Sequence, residues 1–387
     1  MNILFLLKNY NIGGIEVVTS ILAETFIRHS HNVTIVSFIS PSELMLSRTN
    51  KHIKIYELDG YKSSTENVKR LRDIFIKENI NIVINQWGLP YIPINVIKKA
   101  KEQLNIKVIS IYHNSPDTNA RIKSVEIELE KNSNPINRLV LLAKKRVYSY
   151  ITKKSMRYVY KNSDVYQVLS ESFKDKFKSF TGIKNPQKLI TQTNPITIET
   201  GNYSFDVTQK KKEIIYVGRI DYNQKRVIRI LDIWNLIQAN NKEWQLTIVG
   251  DGPEKKNLEE YVKKINLQNV HFEGFKRPKE YYERARIIIL TSEYEGFPLV
   301  LAEAMAFGVV PIVYGSYSAA YDIINNNNGS IIEYNNQQFP KDIFASQMQK
   351  IMNNDQLYLN MAEQAINESK KYSIDNIYLS WEKIINQ

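Results

Sequence analysis

Four residues hold most of the chemistry this sequence offers: the acids Glu295 and Glu303, eight positions apart, and the cations Arg219 and Lys225, six apart. Glu303 sits in LVLAEAMAF, residues 299 to 307, where it is the only polar side chain. A helix of that composition is buried nearly all round. A carboxylate inside it is costly unless it takes up a proton or gains a partner. One arrangement makes Glu295 a loop acid in water and pairs Glu303 with a lysine across a helix interface; the other gives both acids to a bound ligand. Arg219 and Lys225 follow the apolar run EIIYV and Gly218. Two cations on one such loop can clamp phosphate oxygens, or can form a solvated basic loop.

Other candidates stand at similar places. Gly13 and Gly14 follow NILFLL and open a helix, so backbone N–H groups there can approach an anion, or the pair is a tight turn. After IIILTS, the residues Gly296, Phe297, Pro298 and Leu299 lead into the helix of Glu303. Pro298 suits a first helical position, which would aim free N–H groups near Phe297 to Val300 at a ligand. In Gly250-Asp251-Gly252-Pro253 the structural reading is the stronger: the glycines shape a loop and Pro253 starts a helix. His113 is a lone histidine at a strand end, where packing is as good an explanation as chemistry. No complete Walker A or G-x-G-x-x-G is present, and the five histidines show no metal-ligand spacing.

The elements that must position these residues alternate along the whole chain. NILFLL, NVTIVSF, INIVINQ, IKVISIY, VYQVLS and KLITQT read as strands, separated by helices near 14–28, 66–78 and 92–103 and a long helical region at 121–162. EIIYVGRI, WQLTIVG, VHFEG, IIILTS and VVPIVY repeat the pattern in the second half. Short apolar, β-branched runs between helices predict parallel sheets covered on both faces. The polar stretch 195–212 lacks periodicity and reads as a linker. The expected organisation is a first Rossmann-like domain over 1–195, a linker over 196–212, a second domain over 213–370, and a C-terminal helix over 371–387 crossing back to the first. Ligands of such sheets sit beyond the carboxyl ends of the strands, here expected to face a cleft.

Composition narrows the class. The chain has 387 residues, 24% charged and 43% hydrophobic, which describes a globular protein of two or three domains. No apolar run reaches the roughly 20 residues of a membrane span. The N-terminus reads as a first strand, not a signal peptide. The absence of cysteine removes disulfide and thiolate chemistry and suits a cytoplasmic location. The net charge of +12 implies an acidic partner: nucleic acid, a phosphorylated ligand or an anionic membrane.

Taken in order, VGRIDYNQKRVIRIL, IVGDGPEKKNLEEYV, VHFEGF and SEYEGFPLVLAEAMAFG resemble the C-terminal-domain motifs of retaining GT-B glycosyltransferases with the E-x7-E signature. NIGGIEVV, IYHN around His113 and VLSES are similar to that family's N-terminal, acceptor-domain landmarks. The resemblance implies the GT-B fold, two doubly wound Rossmann-like α/β domains facing a cleft that closes on the donor. It implies transfer of a hexose-type sugar from a nucleotide-sugar donor, UDP-linked by expectation, to a cell-surface glycan or lipid-linked acceptor. Glu303 would accept hydrogen bonds from the ribose hydroxyls, which supply two donors to a buried acid. Glu295 would face the donor sugar, Arg219 and Lys225 would hold the pyrophosphate, and Gly13, Gly14, Gly218, Gly296, Phe297, Pro298 and Leu299 would line the donor site. His113 would reach the sugar from the other domain. Fixed cations stabilise a departing diphosphate without a metal, and no D-x-D occurs, so neither cofactor nor metal is expected. Two departures stand out: the Arg219–Lys225 spacing is one residue longer than in many members, and the usual EGFG reads EGFP.

Other functions remain compatible with the fold: a GT-B epimerase or phosphorylase, or a scaffold without activity. A nucleic-acid-binding role lacks any RNP-like strand or helix-turn-helix pattern, so no nucleic-acid partner is expected. The basic charge is concentrated. Residues 138 to 161 contain eight basic side chains and no acidic one, interleaved with Leu, Val, Ile and Tyr. Such a helix can lie on an anionic bilayer, placing the protein peripherally on the inner face of the cell membrane. Alternatively its apolar side is domain core and its basic side is solvated.

Overall fold

The computed structural model describes residues 1–11, 13–201, 203–334 and 338–387. Ile12 of the NIGG stretch and Asn202 of the expected linker lie outside them. The chain forms two compact units, one of Met1–Thr197 with Ile374–Gln387, the other of Ile198–Ser373.

Among the described residues the first unit holds seven strands: β1 (Asn2–Leu7), β2 (Asn32–Ser37), β3 (Lys54–Glu57), β4 (Ile82–Asn85), β5 (Lys107–Tyr112), β6 (Val165–Val168) and β7 (Leu189–Thr191). They pair in parallel in the order β3-β2-β1-β4-β5-β6-β7. The second unit holds β8 (Glu213–Val217), β9 (Gln245–Val249), β10 (Val270–Gly274), β11 (Ile287–Leu290), β12 (Val310–Tyr314) and β13 (Ser330–Ile332), in the order β10-β9-β8-β11-β12-β13. Both are doubly wound, Rossmann-like α/β sheets, the expected class. Their central strands are buried almost throughout because helices cover both faces: every residue of IVIN in β4, EIIYV in β8 and IIIL in β11 is buried. Strand order reverses between β1 and β4 in the first sheet and between β8 and β11 in the second, and such switch points are where these sheets take ligands.

Several expectations need correction. The helical region at 121–162 is two helices, Ala120–Lys131 and Pro135–Lys161. The break has a local cause: Pro135 occupies the first turn of the second helix, and the Asn134 side chain accepts from the N–H groups of Ile136 and Asn137. The polar stretch over 196–212 is not a free linker, since its residues from Ile198 belong to the second unit. Tyr203 donates to the Phe307 carbonyl, and the buried Lys210 ammonium donates to the Tyr282 carbonyl at 2.7 Å. The return to the first unit comes at Ile374, later than residue 371. Pro298 precedes its helix, Leu299–Ala306, as the capping residue and does not begin it, and the helix after Pro253 starts at Lys255.

The final helix, Ile374–Asn386, packs its Tyr378 and Trp381 edge-on to Phe26 of the helix Gly14–Arg28, each at 5.9 Å between ring centres. His29 stacks on Tyr378, and Lys107 donates to the Ile384 carbonyl. Trp381 is almost fully buried, so Trp381→Ala removes an aromatic from a closed layer. A loss of about 3–5 kcal/mol from the first unit's unfolding free energy is expected in denaturant titration.

Candidate functional site

The second unit brings together the loops after β8 and β11 because these strands are neighbours at the switch point. The two loops are tied by backbone: the Glu293 N–H donates to the Gln224 carbonyl at 2.7 Å. Thr291 Oγ1 donates to the Arg226 carbonyl at 3.1 Å. Within the first loop, Asp221 accepts from the N–H groups of Gln224 and Lys225, bending the chain so that Lys225 turns inward. Arg226 takes a left-handed conformation (φ 51°) to complete the turn. The close approach of the neighbouring loop needs glycine, since a Cβ at Gly250 (φ +152°) would lie 1.9 Å from the Gly218 carbonyl oxygen. This agrees with the structural reading of the Gly-Asp-Gly-Pro turn.

Lys225 Nζ donates to Glu295 Oε1 at 2.5 Å, and both side chains are largely withdrawn from solvent. Gln224 Nε2 reaches the other carboxylate oxygen at 3.4 Å and the Tyr294 carbonyl at 3.1 Å. Arg219 stays out in solvent, its side chain 65% exposed, and donates to Asp221 at 3.0 Å. A third acid, Glu293, is buried between Arg229 at 2.5 Å and Arg226 at 3.4 Å. Hence Glu293 ties two arginines to the second loop, while Glu295 takes the single lysine of the first. Gly296, Phe297 and Pro298, which follow Glu295, are buried. The N–H of Leu299 donates to the Phe297 carbonyl at 2.9 Å, so it is not among the open donors expected at this helix start.

Glu303 is buried, as its apolar surroundings require. The Tyr282 hydroxyl, from the helix Lys279–Arg284, donates to it at 3.3 Å. Burial, then the charge of Glu303, pushes the Tyr282 phenol well above its ordinary range. Two buried hydroxyls near Glu295 have no hydrogen-bond partner among the described residues: Ser292 Oγ and Tyr317 OH. Burial, followed by the Glu295 charge, raises the Tyr317 phenol. Among the described residues no three acids or histidines gather as a metal site would need.

The first unit carries its own candidates. His113 follows β5 and its Nε2 donates to Gln86 Oε1, at the end of neighbouring β4, at 2.7 Å. Loss of solvation lowers its pKa to about 4, so the ring is neutral near neutral pH and offers hydrogen bonding, not charge. Gly13 is extended, and a Cβ there would meet the Glu16 carboxylate at 2.4 Å. Its smallness makes room for that buried acid, whose pKa burial raises against an opposing hydrogen bond to its own N–H. Gly14 has open space around it, leaving the backbone at the helix start uncovered.

Sequence reasoning missed Asp221, Gln224, Glu293, Tyr282, Gln86 and Glu16. Asp221 and Gln224 had a signal, polar residues inside the loop already singled out by its cations; Glu293 alternates with Glu295 in a loop where no periodicity separates them. Tyr282 looks like any residue of an amphipathic helix.

Comparison with known proteins gives a consistent answer. Residues 202–368 match the family described as Glycosyl transferases group 1, and residues 12–199 match Glycosyltransferase Family 4. An amylovoran biosynthesis glycosyltransferase of Erwinia amylovora is 30% identical over 243 residues, 62% of this chain and 67% of that one. A Campylobacter jejuni α-1,4-N-acetyl-D-galactosaminyltransferase, named for a diphosphoundecaprenol-linked acceptor, is 22% identical over 393 residues, covering 100% and 98% of the two chains. The pneumococcal O-GlcNAc transferase GtfA, solved with UDP and GlcNAc, superposes with a TM-score of 0.74 at 11% identity, covering 100% and 98%. At that identity the likeness is one of fold.

Two predictions separate the site's charges. Lys225→Ala strands Glu295 buried without its cation, so folding stability should fall by about 3–5 kcal/mol, whereas the exposed Arg219→Ala should cost about 0–1 kcal/mol. Denaturant titration of the two variants reads the difference. For His113 the folded pKa of about 4 lies below the ordinary 6.5, so the unfolded chain binds more protons between these values. Stability from this group is therefore lost as pH falls through that window. His113→Gln should show a smaller drop in melting temperature between neutral and mildly acidic buffer than the natural chain.

Proposed function

The chain belongs to the glycosyl transferases of group 1, and on that premise we propose a retaining, metal-independent transfer of a hexose-type sugar from a UDP-linked donor to a bacterial surface glycan or lipid-linked acceptor. The observation that carries this reading is the convergence of Lys225 and Glu295 at the switch point of the second sheet, with Arg219 on the same loop. An ammonium beside a buried acid is already desolvated, and an incoming pyrophosphate offers it a second, more highly charged partner. In the proposed complex Lys225 and the solvent-facing Arg219 bind the phosphate oxygens. Glu295, released, meets the sugar, where Ser292 and Tyr317 add donors or acceptors for its hydroxyls.

The bond between the anomeric carbon and the β-phosphate oxygen breaks with its electron pair passing to the phosphate. Negative charge grows on that oxygen and oxocarbenium character on the sugar. Two fixed cations stabilise the first and the Glu295 carboxylate the second, and stabilisation that grows along the reaction raises kcat. The acceptor oxygen forms its new bond on the same face, its proton passing to the departing phosphate oxygen. Retention rests on the likeness of SEYEGFPLVLAEAMAFG to the matching stretch of the retaining members of the family. The relatives named for amylovoran and for a diphosphoundecaprenol-linked glycan support the acceptor class, and the UDP bound to the pneumococcal structure supports the donor.

The test is calorimetric titration with a set of nucleoside diphosphates and turnover of the matching sugars. UDP should bind selectively, and Glu303→Ala should weaken it by about 1.5–3 kcal/mol through loss of a charge-assisted bond to ribose. Unchanged UDP affinity in that variant would remove Glu303 from the nucleotide site. Glu295→Ala should instead cut turnover more than UDP affinity, and activity should survive EDTA. Inactivation by EDTA with recovery on adding a divalent cation would overturn the metal-free clamp. Sugar release that depends on inorganic phosphate would mark a phosphorylase.

A further inference from the structure

The helix Pro135–Lys161 has two apolar faces, and only one of them is core. Its buried residues are Leu141, Thr152, Met156 and Val159. Ser155 and Tyr158 reinforce that side by bonding to the Leu89 carbonyl and to Asn95. Ile136, Leu139, Val140, Val147, Tyr150 and Ile151 recur at helical spacing on the opposite side, with exposures running from 51% at Ile151 to 74% at Ile136. At 1.5 Å per residue this row extends roughly 22 Å, far more apolar surface than scattered exposed residues present. The plain alternative, an apolar side serving as core with a basic side in solvent, therefore does not describe this helix.

Charge decides what covers the row. Lys144 and Lys145 reach back to Glu128 and Glu126 of the preceding helix, at 4.0 and 2.8 Å, and are partly offset. Lys153, Lys154, Arg157 and Lys161 form no salt bridge among the described residues. With Tyr150 and Tyr158 they line a shallow depression of about 540 Å³ at the end of the apolar row. A second copy of this face brings no acid to these cations, since residues 138 to 161 contain none. An anionic bilayer satisfies both features, since acyl chains accept the apolar row and headgroup phosphates accept the cations and tyrosine edges.

We propose that the outer face of the helix Pro135–Lys161 docks the protein on an anionic lipid surface, the row from Ile136 to Ile151 entering the acyl boundary and the Lys153–Lys161 depression holding lipid phosphate. The helix lies on the membrane; none of the described helices is long and apolar enough to cross one. The docking stands apart from the catalytic reading, because its test measures binding and not turnover.

The full chain is sedimented with vesicles of phosphatidylcholine alone and of phosphatidylcholine mixed with phosphatidylglycerol, over a salt series. Binding should require phosphatidylglycerol and weaken with salt. Joint replacement of Lys153, Lys154, Arg157 and Lys161 by Gln should reduce it on the order of several hundredfold, at about fivefold per cation. Joint replacement of Ile136, Leu139, Val140 and Val147 by Ser should leave only weak binding that moderate salt removes. All eight positions are at the surface of the helix, and unchanged circular dichroism checks that each variant is folded. Equal recovery on neutral and anionic vesicles, or binding indifferent to both variants, overturns the proposal. So does a solution dimer that ignores vesicles and dissociates in the serine variant, which would assign the face to a second copy.

Discussion

Lys225 and Glu295 meet 2.5 Å apart where little water reaches either, and much of the second unit follows from keeping them there. Removing two charges from water is expensive, and attraction between them offsets the cost only with close geometry and further hydrogen bonds. The fold supplies that geometry from several directions. Parallel pairing sets β8 beside β11, Asp221 bends the first loop, and Arg226 and Arg229 anchor the second through Glu293. Gln224 then fills the other side of Glu295. Remove the glycine at 250 and the β9 loop collides with Gly218, at the base of the same loop. The proposed clamp for a departing diphosphate would need Lys225 in place before the charge develops, and this network positions it with residues that never need touch the ligand.

A second polar line joins Lys210, Tyr282 and Glu303. Lys210, from the segment that joins the second unit near its start, donates to the Tyr282 carbonyl, while the Tyr282 hydroxyl donates to Glu303. Burial, opposed by the Glu283 charge, lowers the Lys210 ammonium to about 7. Tyr203 and Phe205 lie over this ammonium and keep it in an aromatic enclosure. The segment read as a linker is thus part of the wall behind the proposed ribose site, which explains why it belongs to the second unit despite its polar composition. In the proposed complex a ribose diol adds donors to a carboxylate already held by a phenol, so nucleotide binding would complete a network that the folded chain has begun.

What the sequence disclosed follows from what each feature depends on. The central strands were legible because burial on both faces forces unbroken apolar runs, as in β11. Two of the four edge strands, β3 (KIYE) and β13 (SII), were not, being three or four residues long and half-exposed, while the edges β7 and β10 were. The burial of Glu303 was legible through its isolation among apolar residues, whereas the contact of Lys225 with Glu295, 70 residues apart, depends on which strands the topology makes neighbours. Tyr282 and Gln86 were hidden because their importance comes from which strand or helix the topology sets beside them, 21 residues from Glu303 in one case and 27 from His113 in the other. The placement of Pro298 one position ahead of its helix, with Leu299 bonded back to Phe297, is a matter of one turn of backbone that residue preference alone does not fix.

The distribution of charge links the two halves of the reading. Eight of the twelve net positive charges lie between Arg138 and Lys161, leaving the rest of the molecule only mildly basic. A general affinity for polyanions would need cations spread along a groove, and would gain nothing from Ile136 and Leu139 standing in water beside them. Cations along and beyond one end of an exposed apolar row instead favour a partner that is itself layered, charged at the surface and apolar beneath. A donor that carries a nucleotide diffuses in water, whereas a lipid-linked acceptor stays in the bilayer. An enzyme joining the two gains most by surrendering its own third dimension of search, and the proposed docking of this helix, core on one side and anionic membrane on the other, would be a physical means of doing so.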